Sequence, residues 1–332
     1  MIHFIRLLRP INLVIILLTM CAMRWFFNYL LTESNPDFYV QGEVFDFVIL
    51  VISTILIAGA GNIINDYFDV KADRINKPHR LIVTKHLKRR WAIVTHWIFN
   101  FIAFAIALHL SIKHQSFVYL FIHLLSINLL WFYSMYFKRK FVIGNVIIAG
   151  LTGLVPILVA IYFVNVFQLG SNQESWFESL VRIGQDYFAF NPSLQDISQL
   201  ILNFGFAMGV FAFFTNLARE VIKDAEDVKG DLLLNARTIP IVLGRKKTDT
   251  IVSILLLFPA LLFGGFIAFS SWLTPIEFII VFAPIAIAII FQLITLLVIC
   301  TGKSEKKYRT ANHLLKISML AGLFTPVYLI LI

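Results

Sequence analysis

The sequence predicts an all-α integral membrane protein of nine transmembrane helices, and three observations carry that prediction. Hydrophobic residues make up 59% of the 332 residues, while charged residues make up only 14%; a soluble domain would carry about 25% charge. Apolar runs of about 20 residues, each long enough to cross a bilayer core of about 30 Å, recur along the whole chain. Lys and Arg are distributed with the asymmetry that sets membrane orientation. With the N-terminus inside, the inner segments 1–9, 67–90, 138–140, 219–248 and 301–311 hold 24 of the 28 Lys and Arg residues.

In order, the spans are expected at about 10–31, 44–66, 91–112, 116–137, 141–165, 197–222, 249–270, 275–300 and 312–332. The first follows MIHFIRLLRP and is too long for a signal-peptide core, so it reads as a retained helix. The second and sixth end in acidic segments, and the fourth ends at Lys138, Arg139 and Lys140. The connection 166–196 is the one long outer loop, and Trp176–Phe188 within it suggests an interfacial helix. Pro156, Pro259, Pro284 and Pro326 read as kinks. His109, His123 and Gln292 read as hydrogen-bond partners between helices. An odd number of spans leaves the active face and N-terminus cytoplasmic and the C-terminus outside. The net charge of +9 then reads as anchoring to anionic membrane lipid, not as nucleic-acid binding. Cys21 and Cys300 lie in apolar runs and suggest neither a disulfide framework nor a metal cluster.

Two inner segments are acidic where inner segments should be basic. One contains Asn62, Asn65, Asp66, Asp69 and Asp73; the other contains Glu220, Lys223, Asp224, Asp227 and Asp231. Carboxylates at the end of a membrane helix are costly unless they are paired or bind a cation. Asn65, Asp69 and Asp73 follow i, i+4, i+8 spacing, and Asp224, Asp227 and Asp231 follow i, i+3, i+7. Each set falls on one face of a continuing helix. Converging carboxylates repel one another, and a hard divalent cation removes the conflict. Oxygen-only donors suit Mg2+, which bridges readily to phosphate oxygens. Lys77, Arg80, Arg9, Lys138 and Lys223 could neutralise a diphosphate beside that metal.

Asp69-Val70-Lys71-Ala72-Asp73 matches Asp227-Val228-Lys229-Gly230-Asp231 in four of five positions. The match suggests one membrane domain over 1–332, with pseudo-repeats over 10–140 and 141–300 and a final helix at 312–332. Such a repeat would bring the two acidic ends face to face.

At these residues the chain resembles the UbiA superfamily of intramembrane prenyltransferases. The family's Asn-Asp-x-x-Asp-x-x-x-Asp stands as Asn65, Asp66, Asp69 and Asp73, and its Asp-x-x-Asp-x-x-x-Asp stands as Asp224, Asp227 and Asp231. Tyr133, Lys138 and the pair Gly144-Asn145 resemble a further family pattern. The wording of both motifs looks most like the geranylgeranylglycerol-phosphate geranylgeranyltransferase branch. Arg80-Leu81-Ile82-Val83-Thr84-Lys85 departs from the family's Arg-Pro-(Ile/Leu)-Pro-Ser-Gly.

The resemblance implies a Mg2+-dependent transfer of a polyprenyl group from its diphosphate to a lipid-like acceptor. Asn65, Asp69, Asp224, Asp227 and Asp231 would hold metal, with Asn62 and Glu220 supporting. Arg9, Lys77, Arg80, Tyr133, Lys138 and Lys223 would face the diphosphate, and Asp66 or Asp73 would take the proton released. An aromatic acceptor, as in quinone biosynthesis, is the alternative within the superfamily, and a cation-coupled transporter is the alternative outside it. Transport acids usually lie near the membrane midplane, whereas these lie at helix ends.

Overall fold

The computed structural model describes residues 2–34, 43–76, 81–171, 197–233, 235–269, 274–302 and 306–332. Among these, nine helices are long and apolar enough to cross a membrane. In chain order the helices are α1 (Ile2–Leu7), α2 (Pro10–Ser34), α3 (Glu43–Asn76), α4 (Arg89–Lys113), α5 (Val118–Met135) and α6 (Ile143–Ser171). They continue as α7 (Ile197–Leu233), α8 (Ile239–Phe269), α9 (Pro275–Val281), α10 (Ala283–Thr301), α11 (Lys306–Leu323) and α12 (Thr325–Leu331). A 3-10 turn, Phe137–Arg139, joins α5 to α6. The expected helix at Trp176–Phe188 lies outside the described residues, as do Lys77 and Arg80. Asp73 is described only as part of α3.

Both acidic segments are helical, so α3 and α7 run to 34 and 37 residues. Neither segment contains proline, and the i, i+4 ladder continues through each of them. Elsewhere the expected spans need correction. Residues 275–300 are not one helix: the chain breaks at Phe282, and only α10 is long enough to span. The final span begins at Lys306, not 312, and breaks at Phe324 between α11 and α12. Pro284 and Pro326 sit at the first positions of α10 and α12, where a missing N–H costs nothing. They start helices there and do not kink them. Pro156 and Pro259 lie inside helices. α8 begins at Ile239, ten residues before the expected 249, and bends at Gly244, whose φ of 76° suits glycine.

Packing orders the bundle around two long neighbours. α6 packs along α7, α3 along α4, α10 along α11, and α3 also touches α7. The largest apolar core gathers Met20, Phe27, Phe47, Leu50, Tyr162 and Phe163, toward the start of α3. Two smaller cores flank the opposite end. One, with Val221, Ile222, Ala225 and Tyr308, joins α7 to α8 and α11; the other, with Leu7, Ile63, Val70 and Val83, joins α1 and the 81–87 turn to α3. Large side chains such as Phe101 and Leu261 are exposed, as a lipid-facing surface requires.

His123 and Gln292 do bridge helices: the Ser53 hydroxyl lies 2.8 Å from His123 Nε2, and Gln292 Nε2 donates to Thr215 Oγ1 at 2.8 Å. His109 does not, because it is exposed on α4.

Candidate active site

The two acidic motifs come together at one end of the bundle, between the two smaller cores. Lys138 is their meeting point. Its Nζ donates to Asp69 Oδ2 and, at 3.1 Å, to Asn65 Oδ1. Asn65 Nδ2 donates to Asp69 Oδ2 at 2.9 Å, the contact that i, i+4 spacing makes possible. Asp231, on α7, lies within electrostatic reach of Asp227, Lys138 and Asp69. Tyr133 lies within reach of Lys138, Glu220, Asp224 and Asp69. Burial works against the charge on Lys138, yet Asp69 and Tyr133 outweigh it and hold the ammonium above its ordinary pKa.

The remaining expected site residues are placed as follows. Arg9 Nη2 pairs with Asp66 Oδ1 at 2.6 Å. Burial disfavours the Arg9 charge, but Asp66 and Asp69 more than compensate. Asn62 Nδ2 donates to the Leu8 carbonyl at 2.9 Å, tying α3 to the α1–α2 junction. Glu220 is clasped by Arg219 at 3.0 Å and Lys223 at 3.2 Å, so Lys223 is engaged by a neighbour on its own helix. Sequence reasoning assigned Asn145 no role, yet its Nδ2 donates to Asp224 Oδ2 at 2.8 Å. The hint in the sequence was the pair Gly144-Asn145, which resembles part of a further family pattern.

Local backbone geometry is unusual at this end. Arg9, Thr84, Val142 and Asn235 have positive φ, as does Gln115 at the opposite end, a conformation that costs most residues other than Gly, Asn and Asp about 1–2 kcal/mol. The first four sit in connections bordering the acids, and such outliers cluster at functional sites. The 81–87 turn, where the chain departs from the family wording, buries Val83 against Leu7, Ile63 and Val70. It is closed by the hydrogen bond from Thr84 N to Leu87 O at 2.8 Å. The His3 and His86 rings stack at 3.7 Å beside it.

The donor set fits a hard divalent cation by chemistry: it contains only carboxylate and amide oxygens, and a cation, the Lys138 ammonium, already sits among them. Among the described residues, no three acidic, His or Cys side chains surround a common point. Asp69 turns to Lys138, Asp66 to Arg9 and Asp224 to Asn145, which spreads the carboxylates apart.

The model of the UbiA prenyltransferase family matches residues 30–319. Digeranylgeranylglyceryl phosphate synthase of Thermococcus gammatolerans is 30% identical over 244 residues, covering 74% of this chain and 70% of the relative. The protein of the same name from Pyrococcus horikoshii is 30% identical over 273 residues, covering 80% of each. A solved structure of digeranylgeranylglyceryl phosphate synthase aligns at a TM-score of 0.62 with 20% identity, covering 98% of each chain. A UbiA homologue from Archaeoglobus fulgidus bound to DMAPP and Mg2+ aligns at 0.56 with 15% identity, covering 99% of each; both likenesses establish the fold. The chain belongs to the UbiA prenyltransferase family and is a multi-pass membrane prenyltransferase.

Proposed function

We propose that this enzyme transfers a geranylgeranyl group from its diphosphate to geranylgeranylglyceryl phosphate, forming an ether lipid, with Mg2+ at the cytoplasmic face of the cell membrane. The acceptor assignment is supported by 30% identity over most of the chain to synthases that make this kind of product. The convergence of α3 and α7 acids on Lys138 carries the assignment of the site.

Asn65, Asp69, Asp224, Asp227 and Asp231 are the residues proposed to hold the metal. When bound, Mg2+ would neutralise the diphosphate oxygens and make that group a better leaving group. Lys138 and Arg9 are proposed to bind the diphosphate, with the Tyr133 hydroxyl as a further contact. The allylic C–O bond breaks with its electron pair on the diphosphate. The surrounding apolar helices exclude water from the allylic cation that remains. The acceptor hydroxyl oxygen then bonds to that carbon, and its proton passes to Asp66 or Asp73. Lys77, Arg80 and Lys223 are proposed as further diphosphate contacts, with Asn62 and Glu220 as supports. The excess of Lys and Arg in the connections at this end supports its cytoplasmic placement and an N-terminus inside.

Purified enzyme given labelled geranylgeranyl diphosphate with either geranylgeranylglyceryl phosphate or 4-hydroxybenzoate tests the reading. Metal-dependent ether product with the glycerol acceptor is expected. Product only with the aromatic acid would replace the acceptor assignment. No product with either, alongside cation flux in vesicles, would overturn the proposed reaction.

A further inference from the structure

Lys138 holds two of the oxygens assigned to the metal, Asp69 Oδ2 and Asn65 Oδ1. Its backbone is fixed as well. A Cβ on Gly144 would fall 2.9 Å from the Phe137 carbonyl oxygen and 3.1 Å from Lys138 Cα, so the start of α6 is pressed against this turn. Asp231 and Glu220 are within electrostatic reach of the same ammonium. A divalent ion arriving at Asp69 would meet a positive charge already bonded to its ligand, and two cations cannot share that oxygen without strong repulsion. The Lys138 side chain is 32% exposed, and its ammonium leaves Asp69 far more readily when a strong anion receives it than when water alone does. Its flexible four-carbon stem allows the move, and a diphosphate bound beside the metal offers the oxygens.

We infer that Lys138 excludes divalent metal from Asp69 and Asn65 until a diphosphate draws its ammonium away, so metal and prenyl diphosphate bind as a coupled pair. The inference rests on the proposed assignment of Asp69 and Asn65 as metal ligands. It makes Lys138 a gate on metal entry as well as a diphosphate contact. By linkage, whatever factor diphosphate adds to metal affinity, metal adds to diphosphate affinity.

The test measures Mn2+ binding to the detergent-purified full chain by electron paramagnetic resonance, with no donor present. Lys138→Met should bind Mn2+ at Asp69 about tenfold or more tightly than wild type, a coupling within the usual allosteric range. Adding Asp69→Asn to that variant should erase the gain, and Lys138→Arg should keep the wild-type weakness. In a second arm, Mn2+ should strengthen retention of labelled geranylgeranyl diphosphate far less in Lys138→Met than in wild type. Lys138→Gln, which is uncharged but keeps a polar tip, replaces Lys138→Met if that variant unfolds. Equal or weaker Mn2+ binding in the neutral variants, or none in any form, overturns the inference. Wild-type prenyl transfer could still stand in that case, which separates this failure from failure of the proposed function.

Discussion

Gly153 and Gly209 face each other across the α6–α7 crossing so closely that a Cβ on either would lie 2.7 Å from the other's carbonyl oxygen. Gly205, one turn earlier on α7, leaves no room beside the Ala160 Cβ. Small residues at i and i+4 let membrane helices approach backbone to backbone. The consequence reaches the site, because α6 carries Asn145 and α7 carries Asp224. Gly209→Val should cost about 1–3 kcal/mol through overpacking and should also reduce turnover. Thermal unfolding in detergent, read beside a transfer assay, checks both effects. A variant with unchanged stability would mean that α6 and α7 are held apart from one another by other contacts.

The metal assignment predicts a sharp asymmetry between acids that bind metal and residues that merely support the fold. Asp69→Asn and Asp227→Asn should each lower turnover about 100-fold or more, the scale seen when a transition-state charge stabiliser is lost. Unfolding temperature should change little in Asp227→Asn, because Asp227 lies at the bundle end and outside the largest core. Asp69→Asn also gives up the buried pair with Lys138 and should unfold at a lower temperature. Chelation with EDTA should abolish activity and added Mg2+ should restore it. Full activity in both variants would remove these carboxylates from the site.

Much of this was legible in the chain itself, and the reasons are physical. The i, i+4 row of Asn65 and Asp69 is a property of helix geometry, so their mutual contact follows from spacing alone. The pairing of Arg9 with Asp66 joins residues 57 apart, and that of Lys138 with Asp69 joins residues 69 apart. Local pattern says which groups are charged, not which of them meet. The breaks at Phe282 and Phe324 were hidden because apolar runs continue through them. Arg24 and Lys113 lie outside the basic inner segments, and long-range acidic partners account for both. Arg24 forms a two-point pair with Glu43, whose Oε2 accepts from Nη2 at 2.9 Å, and Lys113 pairs with Asp46 at 2.8 Å.

Asn145 offers a separate test, because its amide is the sole described side-chain partner of Asp224. Asn145→Ala should weaken metal-dependent activity about 10- to 100-fold, as loss of an outer hydrogen bond to a metal ligand does. Raising Mg2+ should recover part of that loss, since the ligand itself is retained. Loss that no Mg2+ concentration relieves would instead point to a collapsed site.

The opposite end of the bundle carries a pH dependence of its own. His114 is buried and its Nε2 lies 3.1 Å from Asp46 Oδ2, while its Nδ1 has no hydrogen-bond partner among the described residues. Lys113, His109, Tyr119 and Tyr162 also lie around it. Burial lowers the His114 pKa from 6.5, and Asp46 only partly opposes this. The unfolded chain therefore takes up a proton below about pH 6.5 that the folded chain resists, so stability must fall as pH drops through that window. Unfolding temperature in detergent should decline from pH 7 toward pH 5, and His114→Asn should flatten the decline. Asp46→Ala should cost about 1–3 kcal/mol at neutral pH, since it leaves buried donors without an acceptor. A wild-type profile that stays level across this range, or one that His114→Asn leaves unchanged, would show that His114 does not govern acid stability at this end.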